Sequence, residues 1–150
     1  MSMTFVGNAG TCETPWIRFA LLRDNILHHL DQGGPSLQFV SIYAAAAALG
    51  GSSIKINAKA LHSDMEKAAA ALLEFPTSQL AISARTQAVI RFDSVLPIGP
   101  PTTLLPADVS LPWVTANSQT LGDVFGGLVR DLLRITEDAG ELDSVEVIDS

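Results

Sequence analysis

Charge is what this chain has least of. Asp, Glu, Lys and Arg make up 17% of its 150 residues, against roughly 25% in an ordinary soluble domain. Basic charge is scarcer still, with nine Lys and Arg, never two in succession, against 16 Asp and Glu. Nucleic-acid binding displaces counterions with a basic stripe, so DNA and RNA are excluded as partners, and an anionic membrane surface with them. A single cysteine, Cys12, rules out an intrachain disulfide framework. Long hydrophobic runs are missing too: the greasiest stretch, residues 37–49, spans 13 residues and contains Gln38 and Ser41, where a bilayer span needs about 20. Residues 1–10 lack the basic region and apolar core of a secretory signal. These absences lead to the expectation of a cytoplasmic chain with no membrane contact.

Catalytic and cofactor motifs are equally lacking. Glycine pairs at Gly33-Gly34, Gly50-Gly51 and Gly126-Gly127 have neither the G-x-G-x-x-G nor the G-x-x-x-x-G-K-[ST] spacing that lets backbone amides cradle phosphates. G-x-S-x-G, H-E-x-x-H and paired-cysteine zinc spacings do not occur, so no cofactor and no metal is expected.

Apolar residues, by contrast, are abundant at 47%. Alanine runs at 44–48 and 68–71 supply part of that figure. A domain of this size buries only about 68–70% of the surface its unfolded chain exposes, so apolar side chains remain outside and gather into patches, which often mark interaction sites. Acidic charge is concentrated at one end. Residues 137–150 hold six acidic side chains and no basic one, while the other 136 residues carry 10 acidic and nine basic. That run reads as a solvated tail keeping a greasy body soluble. Docking on a basic partner, or a short edge strand through Val145, Val147 and Ile148, are the alternatives.

Thr14 and Pro15 mark the start of a first helix that Gln32-Gly33-Gly34-Pro35 stops, with Trp16, Phe19, Ala20, Leu27 and Leu30 near helical spacing. Residues 36–51 read as a second helix, and Ser53–Asn57 alternates as a short strand. A third helix covers 58–75, where Leu61, Met65, Ala68, Ala69, Leu72 and Leu73 form a narrow stripe whose alanines would let another helix approach. Ser63 and Glu66 have capping-box spacing within it. Residues 80–92 alternate with period two and predict one long strand, a helix capped by Ser78 being the competing reading. Residues 93–117 hold five of the eight prolines, which disfavours regular structure. They are also too apolar for a free linker and predict an arm wrapped on the body. Thr120 and Asp123 resemble a capping box opening a last helix to about Glu137, in which Gly126-Gly127 would admit a close backbone or partner helix.

Histidine titrates near neutrality, so His28, with Asp24 one turn before it, and His62 are the catalytic candidates by residue type. Arg85 suits a carboxylate or phosphate. His28 and His29 also stand where cations favour a helix C-terminus, the simpler explanation for them. The fold expected is α+β: one helix-rich domain over 1–136 with about four helices, a sheet of two or three strands, a proline-rich apolar arm over 93–117 and an acidic tail over 137–150. The function expected is a non-enzymatic interaction protein, either a self-associating subunit or an acidic inhibitor or immunity-type binder of a basic partner. Trp16, Phe19, Trp113 and Phe125 are its interface candidates. The alternative is a small enzyme or ligand-binding protein with a pocket under the arm, using His28, Asp24, His62 or Arg85.

Overall fold

No element is predicted before Thr14, yet the chain opens with a hairpin. The computed structural model describes residues 2–30, 53–84, 86, 102–104, 114 and 117–149. Strands β1 (Ser2–Gly7) and β2 (Gly10–Pro15) pair antiparallel, with Gly7 opposite Gly10 and Asn8-Ala9 as the loop between them. Both glycines are needed. Gly10 has φ +144°, and a Cβ on Gly7 would run into the carbonyl oxygen of Ile135. Helix α1 (Trp16–His29) follows directly, with Pro15 as its N-cap and no side-chain cap bond. Thr14 therefore does not cap it; that residue is buried in β2.

Strand β3 (Ser53–Asn57) runs into helix α2 (Ala58–Ala71), where the Asn57 side chain accepts from the Ala60 amide at 2.8 Å. Asn57 thus caps the helix six residues earlier than the Ser63–Glu66 spacing suggests, with Ser63 inside it. Short 3-10 turns at Leu72–Glu74 and Thr77–Gln79 flank Pro76. Strands β4 (Ala81–Ser83) and β5 (Thr102–Leu104) form an antiparallel pair. Helix α3 (Leu121–Ile135) begins at the expected capping box: Thr120 Oγ1 accepts from the Asp123 amide, and the Asp123 carboxylate accepts from the Thr120 amide. Strand β6 (Ser144–Asp149) ends the chain.

The main sheet is antiparallel, in the order β2-β1-β6-β3. The acidic tail is therefore not a solvated appendage. Its last part lies inside the sheet, with Val145 and Val147 fully buried and Lys55 in register opposite Glu146. The V-x-V alternation outweighs the acid because each acidic side chain needs only one wet side of the strand. Nor is it an edge strand, since it has neighbours on both sides.

The expected fold is corrected in other respects. Three α-helices stand among the described residues rather than about four, and the sheet has four strands rather than two or three. The long strand expected over 80–92 ends at Ser83, and Ala84 and Thr86 carry helical backbone. The Ser83 hydroxyl accepts from the Thr86 amide at 3.2 Å, the bond of an N-cap, so local capping overrides the period-two pattern. The proline-rich stretch does hold regular structure, in β5. Beyond β5 the arm is described only at Val114, which packs against the core, and at Asn117; Trp113 and the helix expected over 36–51 lie outside the described residues.

One face of the sheet is the floor of the core. Met3, Phe5, Cys12, Ile56, Val145 and Val147 join Phe19 and Leu22 of α1, Leu61 and Met65 of α2, and Phe125, Leu128 and Leu132 of α3 in one cluster. The Phe5 and Phe19 rings pack at 4.9 Å between centroids. Burial, with the nearby charge of Asp131, pushes the Cys12 thiol above its ordinary pKa, which makes it a poor nucleophile. Among the described residues, no helix is long and apolar enough to cross a membrane.

Candidate functional site: an apolar groove between two helices

Two of the candidate catalytic residues, Asp24 and His62, are occupied with holding the fold. Asp24 is buried, and its carboxylate accepts from the Ser83 amide at 2.9 Å while contacting the Arg23 guanidinium at 3.2 Å. Next to it, the Asn25 side chain accepts from the Ala81 amide at 2.8 Å and donates to the Ala81 carbonyl at 3.1 Å, behaving like the edge of another strand. Arg23 also reaches the Thr86 hydroxyl at 3.4 Å. Buried polar groups are costly when unpaired, so these bonds dictate where β4 sits against α1. Asp24 has no role left for His28, which is exposed at the helix end and lies edge-on to His29. His29 stacks on Phe75, and its Nε2 donates to the Gln79 carbonyl at 2.8 Å.

His62 sits in a chain that looks catalytic and is not. Its Nδ1 lies 2.8 Å from Thr136 Oγ1, and its Nε2 lies 3.1 Å from a Glu66 carboxylate oxygen. Thr136 gives its one hydroxyl proton to the Leu132 carbonyl at 2.7 Å. It therefore accepts from the imidazole, which cannot serve as its base. Buried Thr136 offers no nucleophile; it ties α2 to the end of α3. Asp24 and His62 thus serve two separate places, and Arg85 lies outside the described residues. Among the described residues, no three His, Cys, Asp or Glu side chains are grouped to hold a metal ion.

One open feature among the described residues is apolar. A groove of about 280 Å³ runs between α2 and α3. Ala68, Ala69, Leu72 and Leu73 form one wall, and Gly122, Phe125, Gly126, Val129, Arg130 and Leu133 form the other. Leu73, 59% exposed, overhangs it where a Cβ on Gly122 would collide with the leucine methyl. The two central glycines of α3 face different surroundings. A Cβ on Gly126 would meet nothing within 4 Å, whereas one on Gly127 would meet the Arg18 guanidinium at 3.7 Å. Gly126 therefore opens the groove, while Gly127, exposed, stands at ordinary contact distance from Arg18.

Arg130 brings the only charge in the lining and has no ion-pair partner among the described residues. On the same helix, Asp123 uses one oxygen, Oδ2, to accept from the amides of Gln119 at 2.9 Å and Thr120 at 3.0 Å. Those backbone bonds hold its carboxyl below the usual carboxylate range. No imidazole, hydroxyl or carboxylate lines the groove, so it supplies no acid, base or nucleophile. Small-molecule sites usually run to about 300–1,000 Å³ with several convergent polar groups; this groove is shallower in chemistry and suits side chains projecting from a helix.

Of the interface candidates, Trp16 and Phe19 are in the core and present no surface. Phe125, also buried, forms the groove floor. Leu73 and Leu133 were not singled out for an interface, although the alanine stripe and the Gly126-Gly127 pair were the signals that lead to this place. Comparison with protein-family models, with curated proteins and with solved structures finds no match.

Proposed function

We propose that this chain is a non-enzymatic interaction protein that seats the apolar surface of a protein partner in the groove between α2 and α3. The observation that carries this reading is the lining itself: ten residues, nine of them apolar or glycine, beside a leucine left 59% exposed. Surface of that kind gains free energy when covered, at roughly 25 cal/mol per Å². Of the groups that could have done chemistry elsewhere, Asp24 and His62 are held in structural bonds. A cytoplasmic setting belongs to the same proposal, supported by the buried free thiol of Cys12.

A photoreactive amino acid installed at position 73 tests this in the cells that make the protein. Irradiation should yield one defined polypeptide adduct, and Gly126→Arg, which fills the groove, should abolish it. An adduct that persists in Gly126→Arg, or no adduct at all, overturns the reading.

A further inference from the structure

We infer that the occupant of the groove is a second copy of this chain, seated with the two α3 helices antiparallel about a two-fold axis beside Gly126. The inference rests on the interaction function proposed above. A two-fold interface uses one patch twice, so the patch must complement itself. Helix α3 meets that condition in shape and in charge.

Shape comes from Gly126, which removes side-chain bulk where α3 borders the groove, with nothing within 4 Å of where a Cβ would be. Two such helices can approach closely there, and Leu133, half-buried, and Leu73 would cover each other's groove.

Charge comes from spacing. Asp123 is three residues before Gly126 and Arg130 four after it. At about 100° per residue, both lie on the same side of Gly126, about 60° and 40° round the helix. At about 1.5 Å per residue they stand about 4.5 Å before and about 6 Å after it along the axis. The two-fold operation reverses the direction along the helix and keeps that flank, so Arg130 comes level with the partner's Asp123, and the pair occurs twice. Asp123 has an oxygen to give, because both capping bonds use Oδ2. Arg130 has no other anion among the described residues. Each chain carries net charge −7, so two copies repel at long range, and these two local contacts set the register.

Sedimentation of the intact protein at low-micromolar concentration should give twice the chain mass. Mild oxidation should link Gly126→Cys into a covalent dimer in high yield, since a residue on the axis meets its own copy. Gly127→Cys, turned towards α1, and the wild type with its buried Cys12 should stay unlinked. Gly126→Leu should be monomeric with an unchanged circular dichroism spectrum, because the added side chain enters open space. Arg130→Glu should weaken the dimer at least tenfold, as two attractive contacts become repulsive. A monomer at every concentration overturns the inference, as does a dimer indifferent to Gly126→Leu that fails to cross-link through position 126. If the chain is monomeric while photo-crosslinking at position 73 captures a different polypeptide in a Gly126-dependent way, self-pairing falls and the interaction function stands. If both experiments fail, both fall.

Discussion

In α1, nine of 14 residues are buried, and they include Arg23, Asp24 and Asn25; in α3, seven of 15 are buried, and all seven are apolar. The first helix is covered on several sides and turns its polar groups inward, where they bind the backbone of β4. The last helix packs one stripe on the sheet and leaves the side bearing Gly126 and Arg130 towards the groove. The contrast separates residue type from role. Asp24 and Asn25, which look chemical, are holding a strand, while the glycine and alanine that look bland shape a groove that is open among the described residues.

Removing the sheet beneath both helices should have the largest effect. A chain ending before Ser144 loses the strand that joins β1 to β3, and its far-ultraviolet circular dichroism should show no cooperative melting. A folded truncated chain would mean that the helices carry the domain without β6.

The α1 side of the comparison is broken by Asn25→Leu. It leaves the amide and carbonyl of Ala81 unpaired in a buried place, which should cost about 2–6 kcal/mol at about 1–3 kcal/mol per orphaned group. Urea denaturation reads this directly, and a loss below 1 kcal/mol by the same scale would show that β4 is held by packing alone.

On the α3 side, Gly126→Ala should move stability the other way, by about 0.5–1 kcal/mol in favour of the fold, because alanine suits a helix interior better and meets no neighbour. Gly7→Ala is the internal contrast: its Cβ would run into the Ile135 carbonyl, so it should destabilise. Equal signs for the two would show that helix propensity and close packing have been assigned to the wrong glycines.

The smallest effect concerns the start of α3. Backbone hydrogen bonds lower the Asp123 pKa in the folded chain, so its contribution is present above the unfolded carboxylate value, about 3.9. It is lost as pH falls through the folded value. Asp123→Asn should flatten that part of the stability profile and leave the neutral-to-alkaline side unchanged in shape. A profile identical to the wild type below pH 4, a bound set by that unfolded value, would show the cap bonds to be weak in solution.

Several elements are legible locally because their signals are local. The Thr120–Asp123 capping box and the apolar face of Leu121, Val124, Phe125, Leu128, Val129, Leu132 and Ile135 after it locate α3, and the alternation of Ile54 and Ile56 locates β3. The hairpin of β1 and β2 is not legible, since each strand shows only two or three inward residues among small polar ones. Its turn glycines are explained by Ile135, which lies far along the chain. Strand β6 is hidden by six acidic residues that mimic a solvated tail. Residues 81–83 start a strand that Ser83 ends by capping the next turn, a choice made by one hydroxyl against a longer pattern.

What the sequence by itself determined is therefore the short-range grammar: caps, periodicity, the single thiol, the lack of a basic stripe and the small residues at 69 and 126. Those properties depend on neighbours within a turn or two and survive any packing. The tertiary structure alone decided that Asp24 and Asn25 would be consumed by β4 and that the Thr136 hydroxyl would accept a hydrogen bond from His62 while donating its own to Leu132. It alone turned Gly127 to Arg18 and left Gly126 over open space. The hydrogen bonds among these outcomes join residues more than 50 apart in the chain, from Asn25 and Ala81 at a separation of 56 to His62 and Thr136 at 74. Burial and hydrogen-bond geometry at that range depend on how the layers meet, and no local pattern encodes it.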